Sequence, residues 1–105
     1  MTPTQRRMIE KLRKDAETYV SFMEIKRFDI EETCSSFVSV FVEIGMIGDE
    51  DNPISRLFNR EHTLVFIGKR GRMKVPYSRE LKNGKWIHGY KPYKSFYSAC
   101  RTYNA

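Results

Sequence analysis

Apolar residues recur at helical spacing through much of the first half of this chain. Met8, Ile9, Leu12, Ala16, Tyr19, Val20 and Met23 line one side of a helix whose other side carries Arg6, Arg7, Lys11, Arg13 and Lys14. Its start is marked by Thr2 as N-cap, Pro3 at the first helical position and Gln5 three residues after the cap, the signature of a capping box. No Gly or Pro stops it before Arg27. The next stretch, DIEETCSSFVSVFVEIG, fits two templates: its Val and Phe content favours a strand and its spacing a helix. The helical reading puts Ile30, Cys34, Phe37, Val38, Phe41 and Ile44 on one face, with Asp29 and Glu32 closing a capping box and Gly45 ending the element. A second helix over 29–44 is therefore expected.

The pattern changes after the loop GMIGDEDNP. Asn52 and Pro53 begin a short helical turn that is expected to present Ile54, Leu57 and Phe58 to the core. From His62 the spacing becomes extended. Thr63 to Ile67 and Met73 to Pro76 flank Gly68-Lys69-Arg70-Gly71, a hairpin with a cationic tip. Asn83-Gly84 is a second hairpin turn, between Glu80-Leu81-Lys82 and Lys85-Trp86-Ile87. Pro76 cannot donate to a ladder and belongs at an edge or a bulge. The run GYKPY reads as a loop, and Tyr93, Phe96, Tyr97 and Cys100 define a closing helix. The predicted fold class is α+β: N-terminal helices packed on an antiparallel meander of three to four strands, with a C-terminal helix.

Composition places these elements in one domain spanning 1–105. A chain of 105 residues with 40% hydrophobic and 30% charged residues can bury its own core, and its aromatic content argues against disorder. No apolar run approaches the roughly 20 residues a membrane helix needs, and the first residues lack the pattern of a signal peptide, so a cytoplasmic protein without a membrane partner is expected. Cys34 and Cys100 are then expected as buried thiols rather than a disulfide. Nothing in the sequence calls for a metal or other cofactor. Aspartates and asparagine at 49–52 lack the spacing of a calcium loop, and no phosphate-binding, dinucleotide or hydrolase motif occurs.

The net charge of +6 is unevenly spread. Residues 1–52, expected to be helical, hold 7 Lys and Arg against 11 Asp and Glu, whereas residues 53–105, the meander and last helix, hold 12 against 2. A cationic half of this kind points to a polyanionic partner. Lys69, Arg70, Arg72 and Lys74 cluster at the first hairpin, where glycines let backbone approach a phosphate closely. Tyr90 and Tyr93 lie among Lys85, Lys91 and Lys94, and aromatics interleaved with cations suit stacking on bases. Trp86, Phe96 and Tyr97 read instead as core.

These features lead to the expectation of a small non-enzymatic binding protein, a regulator or inhibitor, that contacts nucleic acid or a nucleic-acid-handling protein. Two alternatives stand beside it. His62 and His88, with Arg and Tyr neighbours, would be the catalytic pair of a toxin-like ribonuclease. Glu31, Glu32, Glu43, Asp49, Glu50 and Asp51, on the second helix and its loop, would engage a basic protein partner.

Overall fold

The computed structural model describes residues 1–32, 34–49, 52–54 and 60–105. Helix α1, Pro3–Glu17, begins at the capping box read from the sequence: the Gln5 amide donates to Thr2 Oγ1 (3.1 Å) and the Thr2 amide to Gln5 Oε1 (2.9 Å). Gln5 is almost fully buried because its other end is also used, Nε2 donating to the carbonyl of Ile67 at 3.1 Å. One side chain thus starts the helix and ties it to the sheet. Ile9, Leu12 and Ala16 form the buried stripe. The helix ends at Glu17 rather than continuing towards Met23. Thr18 supplies both its amide and its hydroxyl to the carbonyl of Lys14, closing the last turn, and Met23 already belongs to a strand.

The expected second helix is a β-hairpin. Strand β1, Met23–Glu31, runs antiparallel to β2, Phe37–Met46. In β2 every inward position, Val38, Val40, Val42 and Ile44, is β-branched and at most 2% exposed, the residue type that suits a pleated surface best. Two features imitate helical spacing. Phe37 and Phe41 make the other side of β2 apolar too, so the polar half of the alternation is weak. A bulge between Ile25 and Arg27 sets Ile25 and Phe28 three residues apart although both pair with inward residues of β2, Ile44 and Val42. Among the described residues of 1–52, only Pro3–Glu17 are therefore helical.

The remaining strands are β3, Arg60–Gly68, β4, Met73–Glu80, and β5, Trp86–Pro92, so GYKPY is mostly strand rather than loop. The sheet has five strands, more than the three to four expected, in the order β1-β2-β3-β4-β5 with antiparallel neighbours throughout. Both predicted turns are present. Gly71 (φ 89°) and Gly84 (φ 80°) occupy left-handed positions that other residues avoid. Helix α2, Phe96–Tyr103, starts at a capping box between Ser95 and Ser98 and buries Phe96, Ala99 and Cys100. Trp86 and Tyr97, expected in the core, are 58% and 55% exposed. Ile54, in the short helical turn, is also exposed, while Leu57 and Phe58 lie outside the described residues. Cys100 is buried and Cys34 exposed, and both are free thiols.

Both helices contribute to a single buried cluster on one side of the sheet: Ile9, Leu12 and Ala16 from α1, Phe96, Ala99 and Cys100 from α2, and the inward residues of β2, β3 and β4. Each aliphatic chain of this set contributes on the order of 1.5–3 kcal/mol by burial. The β3–β4 ladder is short, with only Phe66↔Lys74 and Ile67↔Met73 paired. Beyond it the end of α2 takes over the freed flank of β3. Asn104 Nδ2 donates to the His62 carbonyl (2.9 Å), and Thr63 Oγ1 donates to the Ala99 carbonyl (3.3 Å). At Pro76, β4 therefore has β5 as its paired neighbour and no ladder to β3, the edge-like setting a proline requires.

Candidate functional site

Because α1 and α2 sit on one side, no helix of the described residues crosses the opposite face of the sheet. Period-two alternation and the observed register put Phe37 and Phe41 of β2, His62, Leu64 and Phe66 of β3, Lys74 of β4 and Trp86, His88 and Tyr90 of β5 on that open face. Three of the rings form a row across the strands. Phe37 and Phe66 meet edge to face at 4.9 Å between centroids, and Phe66 meets Tyr90 in the same manner at 5.8 Å. Phe37 and Phe66 are half-buried, while Tyr90 is 62% exposed.

Cations flank this row. A groove of about 300 Å³ is lined by Phe37, Phe66 and Tyr90 together with Arg72, Lys74, Ser36 and Gly68. It adjoins a second hollow of about 400 Å³ between Arg72, Lys74, Tyr90, Lys91 and Pro92. Among the described residues no acidic one lines either hollow. Of the acidic side chains on the open face, Asp29 Oδ2 accepts from Arg27 at 2.6 Å and Glu43 lies 3.4 Å from the buried guanidinium of Arg60, while Glu31 and Glu80 are exposed on β1 and β4. An aromatic surface with cations at its margin offers stacking to planar groups and charge to anions attached to them.

The residues singled out from sequence are divided among several places. Arg72, Lys74 and Tyr90 come together in the groove. Lys69 and Arg70 are exposed at the β3–β4 turn, but this tip is docked rather than free. Thr2 Oγ1 donates to the Lys69 carbonyl (3.2 Å), and a Cβ on Gly71 would come within 2.8 Å of Thr4. Lys85 occupies the β4–β5 turn at the far end of β4. Lys91 belongs to the helix side of the sheet, its ammonium 5.4 Å from the centroid of Tyr77. Lys94 lies beside α1, near Lys11 and Asp15. Tyr93 is half-buried and donates to Asp15 Oδ2 at 2.6 Å; burial first and the Asp15 carboxylate second push its phenol well above the usual value, so it is a neutral structural hydroxyl.

The histidines are not brought into one arrangement. The His62 ring lies between Phe41 (5.8 Å) and Tyr103 (5.6 Å), and His88 Nδ1 is 2.8 Å from Ser78 Oγ on the neighbouring strand. Burial raises the Cys100 thiol to about 12, which makes it a poor nucleophile. Among the described residues no group of His, Cys, Asp and Glu could hold a metal, and no helix is long and apolar enough to cross a membrane. The acidic helix face also dissolves: Glu31 lies in β1, Glu43 is buried in β2, Asp49 lies 3.6 Å from Arg60, and Glu50 and Asp51 fall outside the described residues.

Sequence reasoning missed Phe37 and Phe66, the two rings that make Tyr90 part of a surface. The signal for Phe66 was present in the alternation of Thr63, Val65 and Ile67 against Leu64 and Phe66. For Phe37 it was hidden by the helical reading of β2.

Fold and site together define a five-stranded antiparallel meander backed by two helices, with an open aromatic and cationic face. No protein-family model, curated protein or solved structure matches this chain.

Proposed function

We propose that this protein binds single-stranded nucleic acid across the open face of its sheet. The observation that carries the reading is the row Phe37, Phe66 and Tyr90 with Arg72 and Lys74 beside it and, among the described residues, no carboxylate in the lining. Unpaired bases offer π-faces to such rings, while their phosphates are met by Arg and Lys; bases in a duplex are stacked on each other and withhold those faces. The half-buried setting of Phe37 and Phe66 supports a platform role, because rings held by their neighbours lose little freedom when a base stacks on them. Binding through such a surface requires no reaction.

The test is fluorescence anisotropy of a labelled oligouridylate or oligothymidylate titrated with protein over a salt series. Saturable binding is expected, with log K falling linearly as log salt rises. Arg72→Ala combined with Lys74→Ala removes two cations, so the slope should become shallower by about 1.4, at about 0.7 per phosphate contact for single strands. Absence of binding at low salt, or a slope untouched by the double substitution, overturns the proposal.

A further inference from the structure

A second cationic hollow lies on the opposite side of the β4–β5 ribbon, and it does not depend on the reading of the groove. Tyr77 and Arg79 of β4 pair with Gly89 and Ile87 of β5, and Lys91 follows Gly89 by two residues on the same face. The Tyr77 ring lies flat over Gly89: a Cβ there would come within 2.7 Å of the tyrosine hydroxyl, so only glycine admits this arrangement. The ring forms a floor. Lys91 Nζ stands 5.4 Å from its centroid, and α2 contributes Arg101 and Thr102 across from it. Together with Arg79 and Ala105 these residues enclose about 220 Å³.

Among the described residues, three cations and no acidic side chain border this hollow. Arg101 is ion-paired with Glu61 at 3.7 Å, and its guanidinium rests 5.0 Å from the Tyr97 ring centroid. Among the described residues neither Arg79 nor Lys91 forms an ion pair with a side-chain carboxylate or with the chain end. Cations gathered around one concavity repel one another unless an anion enters. Arg offers a forked pair of donors and Lys a point charge, and hydroxyls from Tyr77 and Thr102 lie within the same lining, a donor set suited to a tetrahedral oxyanion with several acceptor oxygens.

We infer that Arg79, Lys91 and Arg101, over the floor made by Tyr77 on Gly89, form a binding site for a phosphate group, either free phosphate or the terminal phosphate of a nucleic-acid strand. Lys91 follows Tyr90 directly in β5, so this site and the groove lie on the two faces of one edge strand.

Titration followed by the amide resonances of Tyr77, Gly89 and Lys91 tests the site, first with inorganic phosphate, then with oligothymidylate carrying or lacking a terminal phosphate. Saturable shifts with inorganic phosphate identify free phosphate as a ligand. Saturable shifts at Tyr77 and Gly89 with the phosphorylated oligonucleotide, produced by neither inorganic phosphate nor the unphosphorylated strand, whose groove binding is read separately, identify the strand terminus. In either case Arg79→Gln with Lys91→Gln should weaken binding about tenfold or more, while Lys14→Ala, which removes an exposed cation on α1, should leave it unchanged. Both substituted residues are exposed, so the folded state should persist, as thermal melting will verify. Failure of both phosphate probes to saturate the site, or binding that survives the double substitution, overturns the inference and leaves the groove reading intact.

Discussion

Replacing Phe66 is the most direct perturbation of the open face. It is the middle ring of the row, 4.9 Å from Phe37 and 5.8 Å from Tyr90, so its loss both removes a stacking surface and separates the two flanking rings. Leucine at this position retains much of the apolar contact with the strand but has no π-face. Base stacking on an aromatic side chain contributes about 1–3 kcal/mol, so Phe66→Leu should raise Kd by roughly 5- to 150-fold. The two edge-to-face ring contacts add about 0.5–1.5 kcal/mol each to stability, so the same variant should melt several degrees lower while remaining folded at room temperature. Anisotropy at fixed salt gives the affinity, and a salt series separates stacking from charge: the slope should equal that of the wild type because no cation is lost. Tyr97→Ala serves as the control, since Tyr97 is a comparably exposed ring, at 55%, but projects from α2. Equal weakening by Phe66→Leu and Tyr97→Ala, or affinity of Phe66→Leu within about twofold of wild type, refutes a stacking role for this face.

Two further outcomes follow from contacts that join the helices to the sheet. Tyr93→Phe removes the 2.6 Å hydrogen bond to Asp15 and should lower stability by about 1–2 kcal/mol at neutral pH, measured by urea denaturation. Because the folded-state phenol ionises above the ordinary value of 10.0, the folded protein holds this proton more tightly than the unfolded chain. That stability is fully present below pH 10 and is lost as pH rises above it, so the phenylalanine variant should show a flatter alkaline profile; identical profiles count against the contact. Gln5→Ala leaves the Ile67 carbonyl and the Thr2 amide without their partner and should cost about 2 kcal/mol or more, seen as a lowered thermal midpoint; an unchanged midpoint would show that the bridge between α1 and β3 contributes nothing.

The ends of the chain were legible because their signals are local. Thr2, Pro3 and Gln5 specify the start of α1 through hydrogen bonds three residues long, and Gly71 and Gly84 specify turns through backbone conformations that few other residues adopt. The hairpin of β1 and β2 was not legible because its evidence is nonlocal. Val38, Val40, Val42 and Ile44 alternate cleanly only once their partners across the sheet are known, and the bulge at Ile25 and Arg27 shifts the phase of β1 by one residue. The site followed the same division. Arg72, Lys74 and Tyr90 were found from composition and turn placement, but Phe37 and Phe66 join them only through the register of β2 on β3. Lys91 and Tyr90 were grouped because they are adjacent in sequence, and strand geometry sends adjacent residues to opposite faces. Tyr93, also nearby in sequence, is held by Asp15 at the other end of the chain.

The brevity of the β3–β4 ladder bears on the groove in a way its lining alone does not reveal. Phe37 and Phe66 stand on the sheet formed by β1, β2 and β3, whereas Lys74 and Tyr90 stand on the β4–β5 ribbon, and these two parts are stitched together at only Phe66↔Lys74 and Ile67↔Met73. The groove therefore straddles a mechanical seam. On the other face α2 spans this seam, holding the flank of β3 through Asn104 and Ala99 while packing on β4. The groove and the helix that bridges its seam therefore lie on opposite sides of the sheet.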